Sequence, residues 1–262
     1  MMLILIIHLS FEIMKVYEHP KNISSVSMDI DKNGNIYILD EDKDIVLRYG
    51  RNMEFLAQFG GFGMEDGRLN NPEDISVNNY VYILDRGNKR IVKYDLDGNF
   101  LISFGEFDDP VSISQDVYGD LYVVDRGKNK VKVYNKEGEN LYEFGEFGWG
   151  EGFFNNLEGI AVDENGNIYV SENGNHRIQV LTNKGRFIRC IGEDILKSPK
   201  RIRYWKGFIF CIDGATLYIF DEEGEYIFKL EKEIKDIGVD NSGNIYLLEN
   251  GKIEMMRLKY DE

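Results

Sequence analysis

The 262-residue chain has few of the residues on which several common protein classes depend. Its two cysteines, Cys190 and Cys211, exclude a disulfide-built scaffold and offer no metal-binding spacing. The histidines are His8, His19 and His176, too scattered to predict a three-histidine zinc site. A run of about 20 apolar residues is also missing, so no transmembrane helix is expected. The chain has no long stretch of helical periodicity.

Positive charge is scarce as well. The sequence has 31 Lys and Arg against 46 Asp and Glu, which gives a net charge of −15. Such a chain is a poor general binder of nucleic acid or of anionic membranes. Hydrophobic residues make up 43% and aromatic residues 13%, with 27 glycines and 4 prolines. This composition excludes global disorder and favours many short strands joined by tight turns.

The first ten residues, MMLILIIHLS, are predicted to form a short apolar extension that precedes a single domain at residues 11–262. The apolar run is too short to cross a bilayer and lacks both the basic residues and the small-residue cleavage site of a secretion signal. We therefore expect a cytoplasmic protein. Export through this segment, or a true start at Met14, are the alternatives.

The prolines mark an internal repeat. Each proline is followed three residues later by an isoleucine, in the pairs Pro20 and Ile23, Pro72 and Ile75, Pro110 and Ile113, and Pro199 and Ile202. The segments Leu157–Ile160 and Ile234–Ile237 keep the isoleucine without the proline. Six repeats follow, with intervals of 35 to 52 residues.

Each repeat contains four short strand-like segments. The second segment ends in an acidic residue, namely Asp40, Asp85, Asp125, Glu172, Asp213 or Glu249. A third segment such as Arg90–Tyr94 follows, and a glycine-containing turn leads to a fourth such as Phe187–Ile191. Four antiparallel strands repeated six times predict an all-β fold, a six-bladed β-propeller of four-stranded blades.

The two ends of the chain predict how the ring closes. The last repeat ends with its third strand at Lys252–Leu258, whereas an extra segment at Phe11–Tyr17 resembles the fourth strands of the other repeats. We predict that this N-terminal strand completes the last blade. A ring closed in this way is expected to be a monomer.

The clearest repeat, GIAVDENGNIYVSENGNHRIQV at residues 159–180, resembles the NHL family, with Asn175 and His176 at the positions that give the family its name. The resemblance extends from about residue 11 to 258, although repeats five and six lack the Asn-His-Arg trio. It implies a six-bladed propeller. For function it implies a protein-binding module, an RNA-binding module, or a metal-dependent lyase or hydrolase.

In such a blade, the turns between second and third strands and the links between blades lie on one face, called here the top face. Basic residues concentrate in these segments: Arg86, Lys89, Arg90, Arg126, Lys128, Lys130, His176, Arg177, Lys197, Lys200, Arg201 and Arg203. They predict a docking face for a protein or a small anionic ligand. Alternatively, Arg90, Lys130 and Arg177 are repeat residues that pair with the acidic ends of the second strands.

Two long links, at residues 60–69 and 145–154, are glycine-rich and match each other in sequence. Phe62 and Trp149 occupy similar places in them. These rings are predicted either to anchor a partner or to seal the grooves between blades.

The first hypothesis for function is therefore a non-catalytic binding module without a cofactor. The alternative is a metal-dependent hydrolase or lyase with Ca²⁺ or another divalent cation held at the channel mouth by Glu73, Asp74, Glu158 and Asp236. An RNA-binding module is a further alternative, which the net charge opposes. The calcium-loop-like segment Asp29–Gly34 is interpreted as ordinary hairpin chemistry, since Asp40 lies a strand's length away.

Overall fold

Six four-stranded antiparallel sheets surround a central channel in the computed structural model, which describes residues 9–18 and 24–260. The extension up to residue 8, with His8, and the segment holding His19, Pro20 and Ile23 lie outside the described residues. Within the described ranges, no helix is long and apolar enough to cross a membrane.

The first three blades follow one another along the chain. The first strand is β1 (Leu9–Glu18), which is not part of blade one. Blade one contains β2 (Ser25–Ile30), β3 (Ile36–Asp40), β4 (Ile45–Tyr49) and β5 (Phe55–Gly60). Blade two contains β6 (Asp74–Val77), β7 (Val81–Asp85), β8 (Arg90–Tyr94) and β9 (Phe100–Phe104). Blade three contains β10 (Pro110–Gln115), β11 (Leu121–Asp125), β12 (Lys130–Tyr134) and β13 (Asn140–Phe144).

The other three blades continue the order. Blade four contains β14 (Leu157–Val162), β15 (Ile168–Glu172), β16 (Arg177–Leu181) and β17 (Phe187–Ile191). Blade five contains β18 (Pro199–Trp205), β19 (Phe208–Asp213), β20 (Thr216–Phe220) and β21 (Tyr226–Glu231). Blade six contains β22 (Asp236–Val239), β23 (Asn244–Glu249) and β24 (Lys252–Tyr260). Short 3₁₀ turns occupy Arg86–Asn88 and Arg126–Lys128.

The core lies between blades. Strands β3, β7, β11 and β15 are buried along their whole length. In one cluster Tyr37 and Leu39 of blade one pack with Ile75 and Val81 of blade two. A blade therefore buries its faces only against its neighbours, which is why the sequence must close into a ring.

Pairing registers confirm the repeat and correct its first member. Ile75, Ile113 and Ile160 each lie in a first strand, opposite the middle of the second strand. In blade one that position belongs to Met28, which pairs with Ile38. The assignment of Ile23 to this register was wrong, because Met28 takes that position in β2.

The ring closes as predicted. β1 pairs antiparallel with β24, and the sheet order is β1-β24-β23-β22. Ile13 lies opposite Met256 and Tyr17 opposite Ile253. The strand begins at Leu9, two residues before the predicted start at Phe11. The two ends of the chain are thus joined in one sheet.

The hairpins opposite the top face, at what is called here the bottom face, follow one design. Oδ1 of Asp31 accepts hydrogen bonds from the backbone N–H groups of Asn33 and Asn35, both at 2.9 Å. Asp163 and Asp240 do the same in blades four and six. Asp40 lies at the other end of β3. The hairpin interpretation of the calcium-like segment agrees with these contacts.

Candidate functional site

The first strands of the six blades line the channel with two rings of residues, because alternate residues of a strand point the same way. Matching registers place Ser27, Asp74, Ser112, Gly159, Arg201 and Asp236 in the upper ring. Two residues further along each strand, the lower ring contains Asp29, Ser76, Ser114, Ala161, Arg203 and Gly238.

A buried polar network fills the upper ring. The Ser27 hydroxyl lies 2.7 Å from Oδ1 of Asp74 and 2.8 Å from Oδ2 of Asp236. Ser112 donates to Oδ2 of Asp74 at 2.8 Å. The guanidinium of Arg201 lies 3.0 Å from Asp74, and that of Arg203 lies 2.7 Å from Asp236. Five blades are thereby linked across the channel.

The arginines determine the charge state of this network. Burial alone would raise the pKa of Asp74, but Arg201 and Arg203 outweigh burial and hold that pKa below its usual value of 3.8. The same carboxylates raise the pKa of Arg201 and of Arg203, although burial opposes this. Asp74, Arg201 and Arg203 are therefore ionised at neutral pH.

Above the network, a cavity of about 380 Å³ opens on the top face. An arc of alternating charges borders it. Arg86 lies 2.8 Å from both Glu73 and Asp109, and Arg126 lies 2.8 Å from Asp109 and 2.9 Å from Glu158. The mouth thus carries paired charges of both signs.

These carboxylates do not fit a divalent cation. Both oxygens of Asp74 already accept hydrogen bonds, from Ser27, Ser112 and backbone N–H groups. Asp236 is occupied in the same way, while Glu73 and Glu158 each face an arginine. In the described part of the chain, no three His, Cys, Asp or Glu side chains are grouped so that they can hold a metal ion.

The basic residues predicted for the top face lie in different surroundings, and several of them form ion pairs within their own blade. Arg90 pairs with Asp85 and Arg177 with Glu172, both at 2.8 Å, as the repeat interpretation predicted. Lys130 instead pairs with Glu143, and it is Lys132 that lies 3.1 Å from Asp125. The partner predicted for Lys130 was therefore wrong, because its strand places Lys132 over the acid.

Other basic residues predicted for the top face lie either in the channel or on the surface. The placement of Arg203 on the top face was wrong, because its position in β18 turns it into the channel. His176 contacts the backbone carbonyl of Lys197. The side chains of Lys197 and Lys200 are exposed, and Lys200 borders the top cavity.

The two matched links form rigid loops. Leu69 donates to the carbonyl of Gly61 at 2.9 Å, and Phe154 donates to that of Glu146 at 2.8 Å. Leu69 and Phe154 are fully buried and seal the grooves, whereas Phe62 is 74% and Trp149 70% exposed. The sealing role therefore belongs to other residues of the links, and Phe62 and Trp149 face solvent. The predicted equivalence of these two rings was wrong, because Phe62 bridges to Leu69 as Phe147 bridges to Phe154, so that Phe147 is the counterpart of Phe62.

The repeat residues brace these loops. Arg177 donates to the carbonyl of Gly150 at 2.7 Å while it pairs with Glu172, and Asn175 donates to Gly148 at 3.0 Å. Arg90 and Asn88 make the matching contacts in the first loop. The exposed rings are thus carried on backbone that the Asn-His-Arg region holds in place.

Asp29 of the lower ring was missed as a channel residue. Its carboxylate accepts hydrogen bonds from the backbone N–H groups of Val77, at 2.6 Å, and Ile30, at 2.8 Å. Burial raises the pKa of Asp29 to about 6 and Asp236 adds to the rise, although Arg203 and these hydrogen bonds oppose it. The spacing of two residues from Ser27 is the signal that places it in the channel.

The raised pKa of Asp29 predicts that the free energy of unfolding depends on pH. Because the folded-state pKa exceeds the ordinary value of 3.8, ionisation of Asp29 opposes folding above that value. The free energy of unfolding of Asp29→Asn minus that of the wild type should therefore increase by at most about 3 kcal/mol between about pH 4 and pH 6 and then stay constant. Urea unfolding at several pH values measures this difference, and a difference independent of pH would contradict the assignment.

Comparisons with known proteins agree with this architecture. The NHL repeat family model matches residues 154–181, which contain the bracing residues Glu172, Asn175 and Arg177. The protein is a six-bladed β-propeller that contains an NHL repeat. No curated protein sequence matches the chain significantly.

Solved structures resemble this propeller in fold at low sequence identity. Virginiamycin B lyase from Staphylococcus aureus is 11% identical, with a TM-score of 0.69 over 95% of this chain and all (100%) of that one. A gluconolactonase from Xanthomonas campestris is 14% identical, with a TM-score of 0.70 over 93% and 89%. A chain of a nidogen–laminin complex is 16% identical, with a TM-score of 0.68 over 82% and 84%. These likenesses concern the fold, which serves both enzymes and binding proteins.

Proposed function

We propose that this NHL propeller is a non-catalytic module that docks a partner protein on its top face. The observation that supports this most is the presentation of Phe62 and Trp149, two large exposed rings on loops fixed by backbone and arginine hydrogen bonds. Aromatic side chains dominate binding energy at interfaces, and rigid loops lose little conformational entropy on binding.

The charges at the channel mouth favour a protein over a small anion. Arg86 and Arg126 are each shared between two carboxylates, so little net positive charge remains for an anionic ligand. Lys197 and Lys200 remain exposed, and Lys200 borders the same cavity as Arg126 and Glu158. A protein surface with apolar pockets for the rings and acidic residues for the lysines complements this face.

The pairing of the four carboxylates also weighs against the metal-dependent alternative. A hydrolase or lyase site of that kind requires carboxylate oxygens free to bind a cation. Here arginines, hydroxyls and backbone N–H groups occupy those oxygens.

The test compares cross-linked capture of partners from native lysate by the wild type and by Phe62→Ser/Trp149→Ser. Capture of the specific partner should fall at least about tenfold, which corresponds to about 1.4 kcal/mol or more from the two anchors together. Tyr118→Ser is the matched control, because Tyr118 is 82% exposed on a bottom-face hairpin. Lys200→Glu should weaken capture in a salt-dependent manner.

Two outcomes would overturn the proposal. One is equal capture by the top-face and bottom-face variants. The other is a stoichiometric divalent metal in the purified protein that is lost on Glu73→Ala, which would favour the enzyme instead.

A further inference from the structure

A second cavity opens at the opposite, bottom end of the channel. It has a volume of about 300 Å³ and is bordered by Asp29, Ser76, Ser114, Gln115, Arg203 and Tyr204. The upper ring separates it from the top cavity, since Asp74 and Asp236 are fully buried between them. A ligand in this cavity would not compete with a partner on the top face.

Asp29 is the unbalanced charge of this cavity. Within the described residues it forms no ion pair, and its oxygens accept only the backbone N–H groups of Val77 and Ile30. Arg203, the cation that shares the cavity, is committed elsewhere: its Nε, Nη1 and Nη2 donate to Ile237, Ile202 and Asp236. The channel acids Asp29, Asp74 and Asp236 thus outnumber the channel arginines Arg201 and Arg203.

The walls supply acceptors around this carboxylate. The Gln115 amide nitrogen donates to the Ser76 hydroxyl at 3.0 Å, and both side chains border the cavity. Ser114 and Tyr204 add hydroxyl groups, and the Tyr204 oxygen already accepts from the backbone N–H of Gly207. An ammonium group carries three N–H donors and no acceptor, so it matches one carboxylate with neighbouring oxygens.

We propose that the bottom cavity binds a small organic cation with N–H donors, a primary ammonium, with Asp29 as its counter-ion. The charged groups that face Asp29 are Arg203 from β18, Asp236 from β22 and Lys32 at the rim. Lys32 is exposed and donates to Asn79 at 3.3 Å, away from the carboxylate. A cation therefore meets a carboxylate that no neighbouring side chain neutralises directly.

The test is calorimetric titration of the full chain with n-propylammonium chloride at constant ionic strength. Saturable binding is expected at pH 8, and about tenfold weaker binding at pH 5, because Asp29 is then mostly protonated. Tetramethylammonium, which has the charge but no N–H donor, and propionate, which has the opposite charge, should bind at least about tenfold more weakly.

Three variants complete the experiment. Asp29→Asn should abolish binding, while Asp42→Asn, the same change at an exposed position away from the cavity, should leave it unchanged. Ser114→Leu should abolish binding by filling the cavity with Asp29 still in place. Binding that survives Asp29→Asn, that is equal at pH 5 and pH 8, or that does not distinguish propylammonium from tetramethylammonium would overturn the proposal.

Discussion

Replacing Asp74 with alanine is expected to lower the free energy of unfolding by about 3–5 kcal/mol, the cost of leaving a buried charge without its partner. Asp74 is fully buried, lies 3.0 Å from Arg201, and accepts hydrogen bonds from Ser27 and Ser112. The substitution removes these acceptors and the nearest carboxylate of Arg201, which among the described residues keeps only the more distant Glu73 at 3.4 Å. Urea denaturation measures the loss.

The matched control is Asp97→Ala. Asp97 also pairs with an arginine, Arg48 at 2.9 Å, but its side chain is 80% exposed, so its loss should cost less than about 1 kcal/mol. A double variant, Asp74→Ala/Arg201→Met, should recover part of the stability because no unpaired charge remains. If Asp74→Ala costs no more than Asp97→Ala, the network does not stabilise the ring as argued.

The loss of stability caused by Asp74→Ala should depend on pH. Because Arg201 and Arg203 lower the pKa of Asp74 below 3.8, the carboxylate contributes its stability above that pH and loses it as the pH falls further. The difference between wild type and Asp74→Ala should therefore shrink in strong acid. This is the opposite direction to the effect predicted for Asp29→Asn.

Deleting residues 1–18 is expected to lower the melting temperature by roughly 10 °C or more. The deletion removes β1, leaves blade six with three strands and exposes the edge of β24. The side chains of Ile13, Met14 and Val16 are about half exposed, so the loss comes mainly from ladder hydrogen bonds. At about 1 kcal/mol per ladder hydrogen bond, the free energy of unfolding falls by roughly 5 kcal/mol. Each kcal/mol lost lowers the melting temperature by about 2–4 °C.

Deletion of residues 1–8 is the control, because it leaves β1 intact. It should melt within about 2 °C of the full chain. The longer deletion should also aggregate more readily, since an unpaired edge strand invites pairing with another molecule. An unchanged melting temperature after removal of residues 1–18 would contradict the closure.

The local order of the chain was predictable from the sequence because it depends on local physics. Turn residues such as Asp163 and Gly166, and β-rich segments such as Ile168–Glu172, repeat with a fixed order that specifies four strands per blade. Closure was predictable too, since an orphan strand at one end matched a missing strand at the other. The pairing of Arg177 with Glu172 followed from the same repetition.

The contacts of the candidate site could not be predicted in the same way, because residues from different repeats form them. Arg201 and Arg203 lie in blade five and meet Asp74 and Asp236 of blades two and six only when the ring is closed. From the sequence, these carboxylates suggested a cation site and Arg203 a surface contact. In the folded ring they neutralise each other.

The sequence by itself therefore determined the blade, its repetition and the way the ring closes, because strand pattern and turn chemistry are local properties. Only the tertiary structure decided which charges meet in the channel, which aromatic rings stay exposed, and that Asp29 borders a cavity. The physical reason is that burial and charge pairing depend on distances between blades, and ring closure fixes those distances.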